Sequence, residues 1–256
     1  MINSYVAIGD SFTEGLGDPR QDGTLRGWAD RVAEGLAFHK STVDNDPFLY
    51  ANLAIRGRKL RQVLDEQLDV AIEMKPDLIS FNGGGNDILR PNFPLAETTA
   101  MVKQAVSKIR NAGIAVLLLA GPDPCDHLPL GKLFHARAGE FTDVTGQWAG
   151  NLAGVTYCDN FHDLTLRAPQ YWSEDGLHLG RAGHMKVAMN SLNALGLTPP
   201  PYWSINEALN DGVNRHFGDV TYYRQHVAPW IKRRLTGKSS GDGRSAKLPY
   251  LTNFPT

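Results

Sequence analysis

Near its N-terminus the chain reads Tyr5-Val6-Ala7-Ile8-Gly9-Asp10-Ser11-Phe12-Thr13-Glu14-Gly15. Four residues compatible with β-structure end abruptly at a glycine, an acid and a serine, a pattern typical of a buried strand in a parallel sheet. In open α/β sheets, ligands bind beyond the carboxyl ends of the strands. The stretch therefore predicts a first strand that delivers Ser11 to a reaction site.

The rest of the chain up to residue 196 alternates helices and strands. Apolar residues at helical spacing predict helices at 28–40, 59–74, 94–112, within 133–152 and near 184–195. Short apolar runs predict further strands at 48–54, 78–81, 114–120 and 155–158. This alternation is typical of βαβ units, so we predict an α/β fold with a doubly wound sheet of about five parallel strands.

Three consecutive prolines at 199–201 predict a domain boundary, because the pattern beyond them is helical only. We predict a catalytic domain at 1–196, a mainly helical C-terminal extension at 197–236, and an extended or partly disordered tail at 237–256. A Gly-Lys-Ser-Ser-Gly-Asp-Gly-Arg stretch at the start of the tail has the composition of a linker.

Two helices are predicted in the C-terminal extension. Ser204 can cap one that begins at Ile205, and Asp219 can cap a second that reaches Ile231. The aromatic residues of the extension are expected to pack it on the main domain: Trp203, Phe217, Tyr222, Tyr223 and Trp230. The alternatives are a subunit contact, which would make the protein a homo-oligomer, and a cover over the substrate pocket.

Composition excludes several classes of protein. The chain has 256 residues, 42% of them hydrophobic, and a net charge of -1, which argues against a nucleic-acid partner or an anionic membrane surface. We expect a cytoplasmic protein without stable membrane insertion, because we find neither a signal sequence nor an apolar run of about 20 residues. Cys125 and Cys158 lack metal-ligand spacing and are expected to be reduced thiols.

A serine becomes a nucleophile only beside a general base that is itself oriented by a third group. Asp175 precedes His178 by three residues. A carboxylate at this spacing can accept from imidazole Nδ1 and leave Nε2 to take the serine proton. We expect no other histidine to share this arrangement in a strand-end loop. His184 is the one rival, and we expect it to pack in the last helix instead.

Acyl transfer also requires donors for an oxyanion. The ends of the second and third predicted strands supply two, the backbone N–H of Gly57 and the side-chain amide of Asn86. Together with the N–H of Ser11 they complete a predicted oxyanion hole. Asp10 and Glu14 are expected to be structural, since neither has a step to perform.

These residues fall into four blocks: Gly9-Asp10-Ser11, Gly57, Gly84-Gly85-Asn86-Asp87 and Asp175-Gly176-Leu177-His178. In this order and at these separations they resemble the blocks of the SGNH hydrolases, also called the GDSL-like lipase/acylhydrolase family. The resemblance covers residues 1 to about 196. It implies a three-layer flavodoxin-like fold and esterase or lipase activity with no metal or organic cofactor, carried by the residues assigned above.

Two alternatives remain beside a hydrolase of small-molecule or lipid-like esters. The same acyl-enzyme could pass its acyl group to another acceptor, as an acyltransferase does. A non-catalytic module that binds anions or nucleotides could use Ser11 and Thr13, although G-x-G-x-x-G and a Walker lysine are absent. Arg56 and Arg58, which flank Gly57, are expected to favour anionic substrates.

Overall fold

The computed structural model describes residues 1–44, 46–128, 131–210, 213, 217, 222, 224–225 and 239–254. The strands are β1 (Ser4–Ile8), β2 (Leu49–Asn52), β3 (Leu78–Phe81), β4 (Ala115–Ala120), β5 (Val155–Asp159) and β6 (Leu248–Asn253). The helices are α1 (Ser11–Glu14), α2 (Trp28–Ser41), α3 (Leu60–Val63), α4 (Asp69–Glu73), α5 (Gly85–Ile88), α6 (Leu95–Asn111), α7 (Gly131–Ala149), α8 (Arg181–Ala194) and α9 (Ile205–Leu209). A π-helical segment, Leu64–Leu68, joins α3 to α4.

The described strands form one sheet in the order β5-β4-β3-β1-β2-β6. Strand β1 pairs in parallel with β2 and β3, and β4 pairs in parallel with β3 and β5. The order reverses around β1, so the site predicted at its carboxyl end lies at a topological switch point. The predicted α/β fold with five parallel strands is confirmed. Strand β6, which pairs antiparallel with β2 at the sheet edge, was not predicted.

Alternate residues of each strand face opposite sides of the sheet, and each side has its own apolar core. On one side, Tyr5 and Ala7 of β1 pack with residues of α2 and α8. On the other side, Val6 and Ile8 pack with residues of the helices before and after β3, including α6. All four side chains are fully buried. Burial on both faces explains why β1 is a continuous apolar run.

The C-terminal extension contains helix α9. Ser204 caps this helix, as predicted, because its hydroxyl accepts from the N–H of Glu207. Most of the predicted helix from Asp219 to Ile231 lies outside the described residues. The proposed division at residue 196 stays a prediction. Among the helices of the described residues, none is long and apolar enough to cross a membrane.

Residues 239–254 are held against the main domain by β6 and by one lysine. Lys247 Nζ donates to the carbonyl oxygens of Glu14 (2.7 Å) and Leu25 (3.2 Å) and to Asp30 Oδ2 (2.6 Å). The last part of the chain thereby reaches the turn that follows Ser11. The linker composition gave no sign of this attachment.

Candidate active site

Four of the five predicted site residues line a single cavity of about 560 Å³. They are Ser11, Gly57, Asn86 and His178, which lie at or beyond the carboxyl ends of β1, β2, β3 and β5. Asp175, the fifth, contacts His178 from behind. The topology thus brings together residues that are up to 167 positions apart in the chain.

The turn that carries Ser11 is fixed by its neighbours on both sides. Asp10 caps helix α1, because its Oδ1 accepts from the N–H of Phe12 at 3.1 Å. Gly9 has φ +156°, and a Cβ there would lie 2.8 Å from the carbonyl oxygen of Asn82. Only glycine fits this position without a rearrangement. Ser11, the predicted nucleophile, therefore follows a backbone geometry that the Gly-Asp-Ser sequence specifies.

Gln67 also fixes this turn, although no sequence pattern predicted that role. Its side chain accepts from Gly9 N (2.8 Å) and donates to Gly9 O (3.0 Å), so one amide binds both polar backbone atoms of Gly9. Gln67 is 2% exposed and lies in the π-helical segment Leu64–Leu68. Such π-helical turns are frequent at functional sites, but a buried glutamine among exposed acids has no local signature.

The loop after β5 pairs Asp175 with His178. Asp175 Oδ2 lies 2.6 Å from His178 Nδ1, and Asp175 Oδ1 accepts from Ser173 Oγ and from the N–H groups of Leu177 and His178. Burial raises the pKa of Asp175, but the charge of His178 and these hydrogen bonds outweigh it and hold the pKa well below its usual range. An ionised Asp175 fixes the ring so that Nε2 remains for proton transfer.

No hydrogen bond joins Ser11 Oγ to His178, two described residues that line the same cavity. Catalytic hydrogen bonds are often long before substrate binds and tighten in the complex. The structure therefore places both side chains in one cavity without joining them.

Asn86 already uses both of its N–H donors within the protein. Its Nδ2 donates to Asp10 Oδ2 at 3.1 Å and to the carbonyl oxygen of Arg58 at 3.0 Å. To bind an oxyanion, the amide must share or exchange one of these bonds. Asp10 thus orients Asn86 as well as capping α1, and both contacts agree with the structural role expected of it.

Gly57 lies on the cavity wall with φ +73°, a conformation that favours glycine. Its carbonyl oxygen accepts from Ser239 Oγ at 3.2 Å, and a Cβ at residue 57 would collide with that hydroxyl. The segment around Ser239 therefore covers the loop that carries the predicted oxyanion donor. Ser240 and Asp242 of the same segment also line the cavity.

The two arginines beside Gly57 bind carboxylates of the protein itself. Arg56 donates from Nε and from its backbone N–H to Glu14, and Arg58 Nε donates to Glu66 at 2.8 Å. Neither arginine lines the cavity, and their expected preference for anionic substrates stays a prediction. Glu14, which was expected to be structural, is 8% exposed and holds the loop before Gly57 through Arg56.

His184 is an integral part of the core. Its Nδ1 accepts from the N–H of Trp28 at 3.1 Å, and its Nε2 donates to the carbonyl oxygen of Leu16 at 2.9 Å. The ring is fully buried, which lowers its pKa to about 4. A neutral imidazole with both nitrogens bound has no role as a general base, and the expectation that His184 packs in the last helix is confirmed.

A second Asp-x-x-His pair, which the sequence analysis overlooked, follows β5 directly. Asp159 Oδ2 lies 2.8 Å from His162 Nδ1, at the same spacing as Asp175 and His178. The His162 side chain is 54% exposed, and the hydrogen bond from Asp159 raises its pKa. It does not line the cavity that contains Ser11. The three-residue spacing therefore occurs at two histidines, and of these two His178 is the one that lines the cavity.

Asp123, Cys125 and His135 form the one group of potential metal ligands that we find among the described residues. His135 Nδ1 lies 2.7 Å from Asp123 Oδ2, and Arg167 Nη2 donates to Cys125 Sγ at 3.1 Å. Burial, followed by the neighbouring Asp123, raises the pKa of the Cys125 thiol to about 12. The Asp123 and His135 atoms are thus bound to each other and the thiol accepts from Arg167, and we propose no metal site at this group.

The extension contacts the loop that carries the Asp175–His178 pair. The Tyr222 hydroxyl lies 2.9 Å from the carbonyl oxygen of His127 and 3.0 Å from that of Asp175, and Phe217 packs on His127. These contacts confirm that Phe217 and Tyr222 pack on the main domain. Tyr223 and Trp230 lie outside the described residues.

The family profile of the GDSL-like Lipase/Acylhydrolase family matches residues 7–186. The chain belongs to this family. The match covers all four blocks and includes Ser11, Gly57, Asn86, Asp175 and His178. Membership makes this GDSL-like hydrolase an enzyme that acts on esters, as the resemblance implied.

Solved structures share the fold of this GDSL-like hydrolase. The lipase Lip_vut3 from a goat rumen metagenome is 19% identical, with a TM-score of 0.62 over 76% of this chain and 98% of its own. A catalytic mutant of the acetylxylan esterase Axe2 from Geobacillus stearothermophilus is 18% identical, with a TM-score of 0.60 over 76% and 94%. The lipase/acylhydrolase from Enterococcus faecalis is 19% identical, with a TM-score of 0.53 over 78% and 99%.

A curated relative is the uncharacterised protein YpmR of Bacillus subtilis strain 168, which is 36% identical over 94 residues. The match spans 34% of this chain and 34% of YpmR. The name of this relative does not indicate a substrate.

Proposed function

We propose that this enzyme hydrolyses carboxylic esters through an acyl-enzyme on Ser11, with His178 as general base and Asp175 as its orienting carboxylate. The observation that carries the proposal is the 2.6 Å contact between Asp175 Oδ2 and His178 Nδ1, made by a histidine that lines the same cavity as Ser11. This is the pairing that leaves Nε2 for the serine proton.

The reaction has two halves. Ser11 Oγ attacks the carbonyl carbon of the ester while His178 Nε2 takes the serine proton. The tetrahedral intermediate collapses when His178 returns that proton to the leaving alcohol. A water molecule, deprotonated by His178, then attacks the acyl-enzyme, and the acid leaves as Ser11 regains its proton.

The oxyanion of each tetrahedral intermediate needs donors, for which we assign the N–H groups of Ser11 and Gly57 and the side-chain amide of Asn86. Because Asn86 is bound to Asp10 and to the Arg58 carbonyl, it turns toward the substrate at the cost of one of these bonds. An oxyanion is a stronger acceptor than a carbonyl oxygen, which favours this exchange in the transition state.

Covalent labelling with a fluorophosphonate, followed by peptide mapping, tests the nucleophile. We expect one modification at Ser11 and none in Ser11→Ala. A non-catalytic binding module would show no modification. Acyl transfer to an added alcohol, measured as ester product beside free acid, distinguishes a transferase from a hydrolase.

The base is tested with two histidine variants of matched spacing. His178→Ala should lower kcat/KM for p-nitrophenyl acetate on the order of 10³-fold or more, because removal of a triad member costs that much. His162→Ala removes the exposed Asp-x-x-His partner and should leave turnover unchanged. Equal losses in the two variants, or full activity in His178→Ala, would refute the assignment.

A further inference from the structure

The cavity that contains Ser11 continues far past the catalytic residues. Beyond the mouth it runs between helix α7 and the sheet, where its wall includes Leu118 of β4 and Tyr157 of β5. Leu118 and Tyr157 are register partners, so this part of the cavity lies at the level of one row of the sheet. The pocket is therefore a channel into the domain rather than a surface cleft.

One face of α7 forms a wall along this channel. Phe134, Ala138, Phe141, Thr142 and Thr145 line it at spacings that place them on a single face of a helix. The helix follows β4, so it begins at the carboxyl edge of the sheet, near Ser11, and runs toward the amino edge. Phe134 is thus near the mouth and Thr145 is at the inner end.

The two elements give independent estimates of the depth. Phe134 and Thr145 are separated by about 16 Å along α7, from the helical rise per residue. From Gly121, just beyond β4, to Leu118 the strand rises about 10 Å. An extended chain of single bonds advances about 1.2 Å per bond, so these depths correspond to about 8 to 13 carbons.

The side chains around the inner part are mainly apolar. Five phenylalanines line the cavity, at position 12 beside Ser11 and at positions 81, 134, 141 and 161, together with Ile88, Val102, Leu118 and Ala138. The charged residues of the lining lie at the mouth, and Lys59 and Asp242 are among them, whereas Thr142 and Thr145 place two hydroxyl groups along α7. A ligand that spans both parts therefore has an apolar portion inside and a polar portion outside.

We propose that the enzyme is specific for esters of medium-chain fatty acids, with an unbranched acyl chain of about 8 to 13 carbons lying along α7. The proposal rests on Ser11 being the nucleophile, because the ester carbonyl then sits at the mouth of the channel. The acyl chain enters the apolar part, and the alcohol leaves on the side of Lys59 and Asp242. An acetyl group would leave most of the channel empty, and a long-chain acyl group would be longer than the channel.

The first test is the rate profile of the wild-type enzyme on p-nitrophenyl esters from acetate to palmitate. Each methylene that enters the channel should raise kcat/KM by up to about fourfold, the equivalent of about 0.8 kcal/mol. We expect a maximum between octanoate and about tridecanoate and a fall at palmitate. A profile that falls steadily from acetate would overturn the proposal.

Variants of α7 locate the chain within the channel. Ala138→Trp fills the middle of the channel and should move the maximum to butyrate or shorter. Thr145→Trp fills only the inner end and should remove just the longest accepted esters. Ala136→Trp, an exposed position on the opposite face of the same helix, is the matched control and should leave the profile unchanged.

A wild-type measurement covers the case in which a tryptophan variant does not fold. We expect the rate of Ser11 labelling to be higher for a decyl than for an ethyl fluorophosphonate. Equal rates with both reagents would overturn the medium-chain proposal while leaving Ser11 as the nucleophile. Absence of labelling with both, together with no turnover of any ester, would instead refute the proposed function.

Discussion

Replacing Asp10 by asparagine should stabilise the protein more at pH 8 than at pH 5. Asp10 is 5% exposed, and burial raises its pKa from 3.8 to about 6, against the opposing effects of its hydrogen bond from Phe12 and of the charge on His178. The folded protein therefore binds this proton more tightly than the unfolded chain does. Ionisation of Asp10 destabilises the fold as the pH rises from about 4 to about 6, by about 3 kcal/mol in all.

The substitution also has a cost that does not depend on pH. Asp10 accepts from Phe12 N with one oxygen and from Asn86 Nδ2 with the other, and asparagine has one acceptor oxygen for these two donors. Loss of one bond costs about 1 kcal/mol at every pH. The pH dependence of the difference between variant and wild type therefore isolates the ionisation of Asp10.

Urea unfolding of both proteins at several pH values between 5 and 8 measures this difference. Between pH 5 and about pH 7 the last unit of the shift is traversed, so the free energy of unfolding of Asp10→Asn should gain about 1.4 kcal/mol on the wild type. Above about pH 7 the gap should be constant. Asp22→Asn is the control, because Asp22 is exposed and its hydrogen bonds from Thr24 lower its pKa. If the difference in unfolding free energy between Asp10→Asn and the wild type were as independent of pH as that of the control, a raised pKa of Asp10 would be refuted.

Three further substitutions test the surroundings of the site. Gly57→Ala should lower kcat on the order of tenfold or more and destabilise the protein by about 1 to 3 kcal/mol, because the new Cβ collides with Ser239 at a residue with positive φ. Steady-state kinetics measure the first effect and thermal unfolding measures the second. Lys247→Met should destabilise the protein by about 3 kcal/mol in urea unfolding, since it leaves the buried Asp30 without its cation. His184→Gln should destabilise the fold but leave the turnover per active site unchanged, with the number of active sites titrated by a fluorophosphonate. A loss of turnover per active site would contradict a purely structural role.

The residues that could be predicted from the sequence are those whose roles depend on local backbone geometry. Gly9 must be glycine because of its own φ and its close contact with Asn82, and Asp10 caps the helix that it precedes. Such requirements leave short patterns in the chain. The five parallel strands were predictable for a similar reason, since burial on both faces makes each one an apolar run.

Contacts between distant segments left no such pattern. Strand β6 is only partly buried, with exposed residues at four of six positions, so it lacks the alternation or the apolar run that predicts a strand. It lies in the sheet because β2 offers an edge and Lys247 reaches buried acceptors of the main domain. Ser239 contacts Gly57 only as a consequence of that attachment. Gln67 likewise contacts Gly9 across 58 positions of the chain.

The two Asp-x-x-His pairs show where spacing stops being informative. Asp159 and His162 reproduce the spacing and the Nδ1 contact of Asp175 and His178, and both pairs follow β5. The spacing of three residues fixes only that the carboxylate can orient the ring. Which ring lies in the cavity with Ser11 is decided by the packing of the loop after residue 162, where Trp172 and Leu179 are buried and form a bridge. That bridge closes the hairpin carrying His178 and directs it to the cavity, whereas His162 stays on the surface. The tertiary position of its loop thus distinguishes His178, the predicted general base, from His162. The Asp-x-x-His motif specifies only the carboxylate that orients the ring.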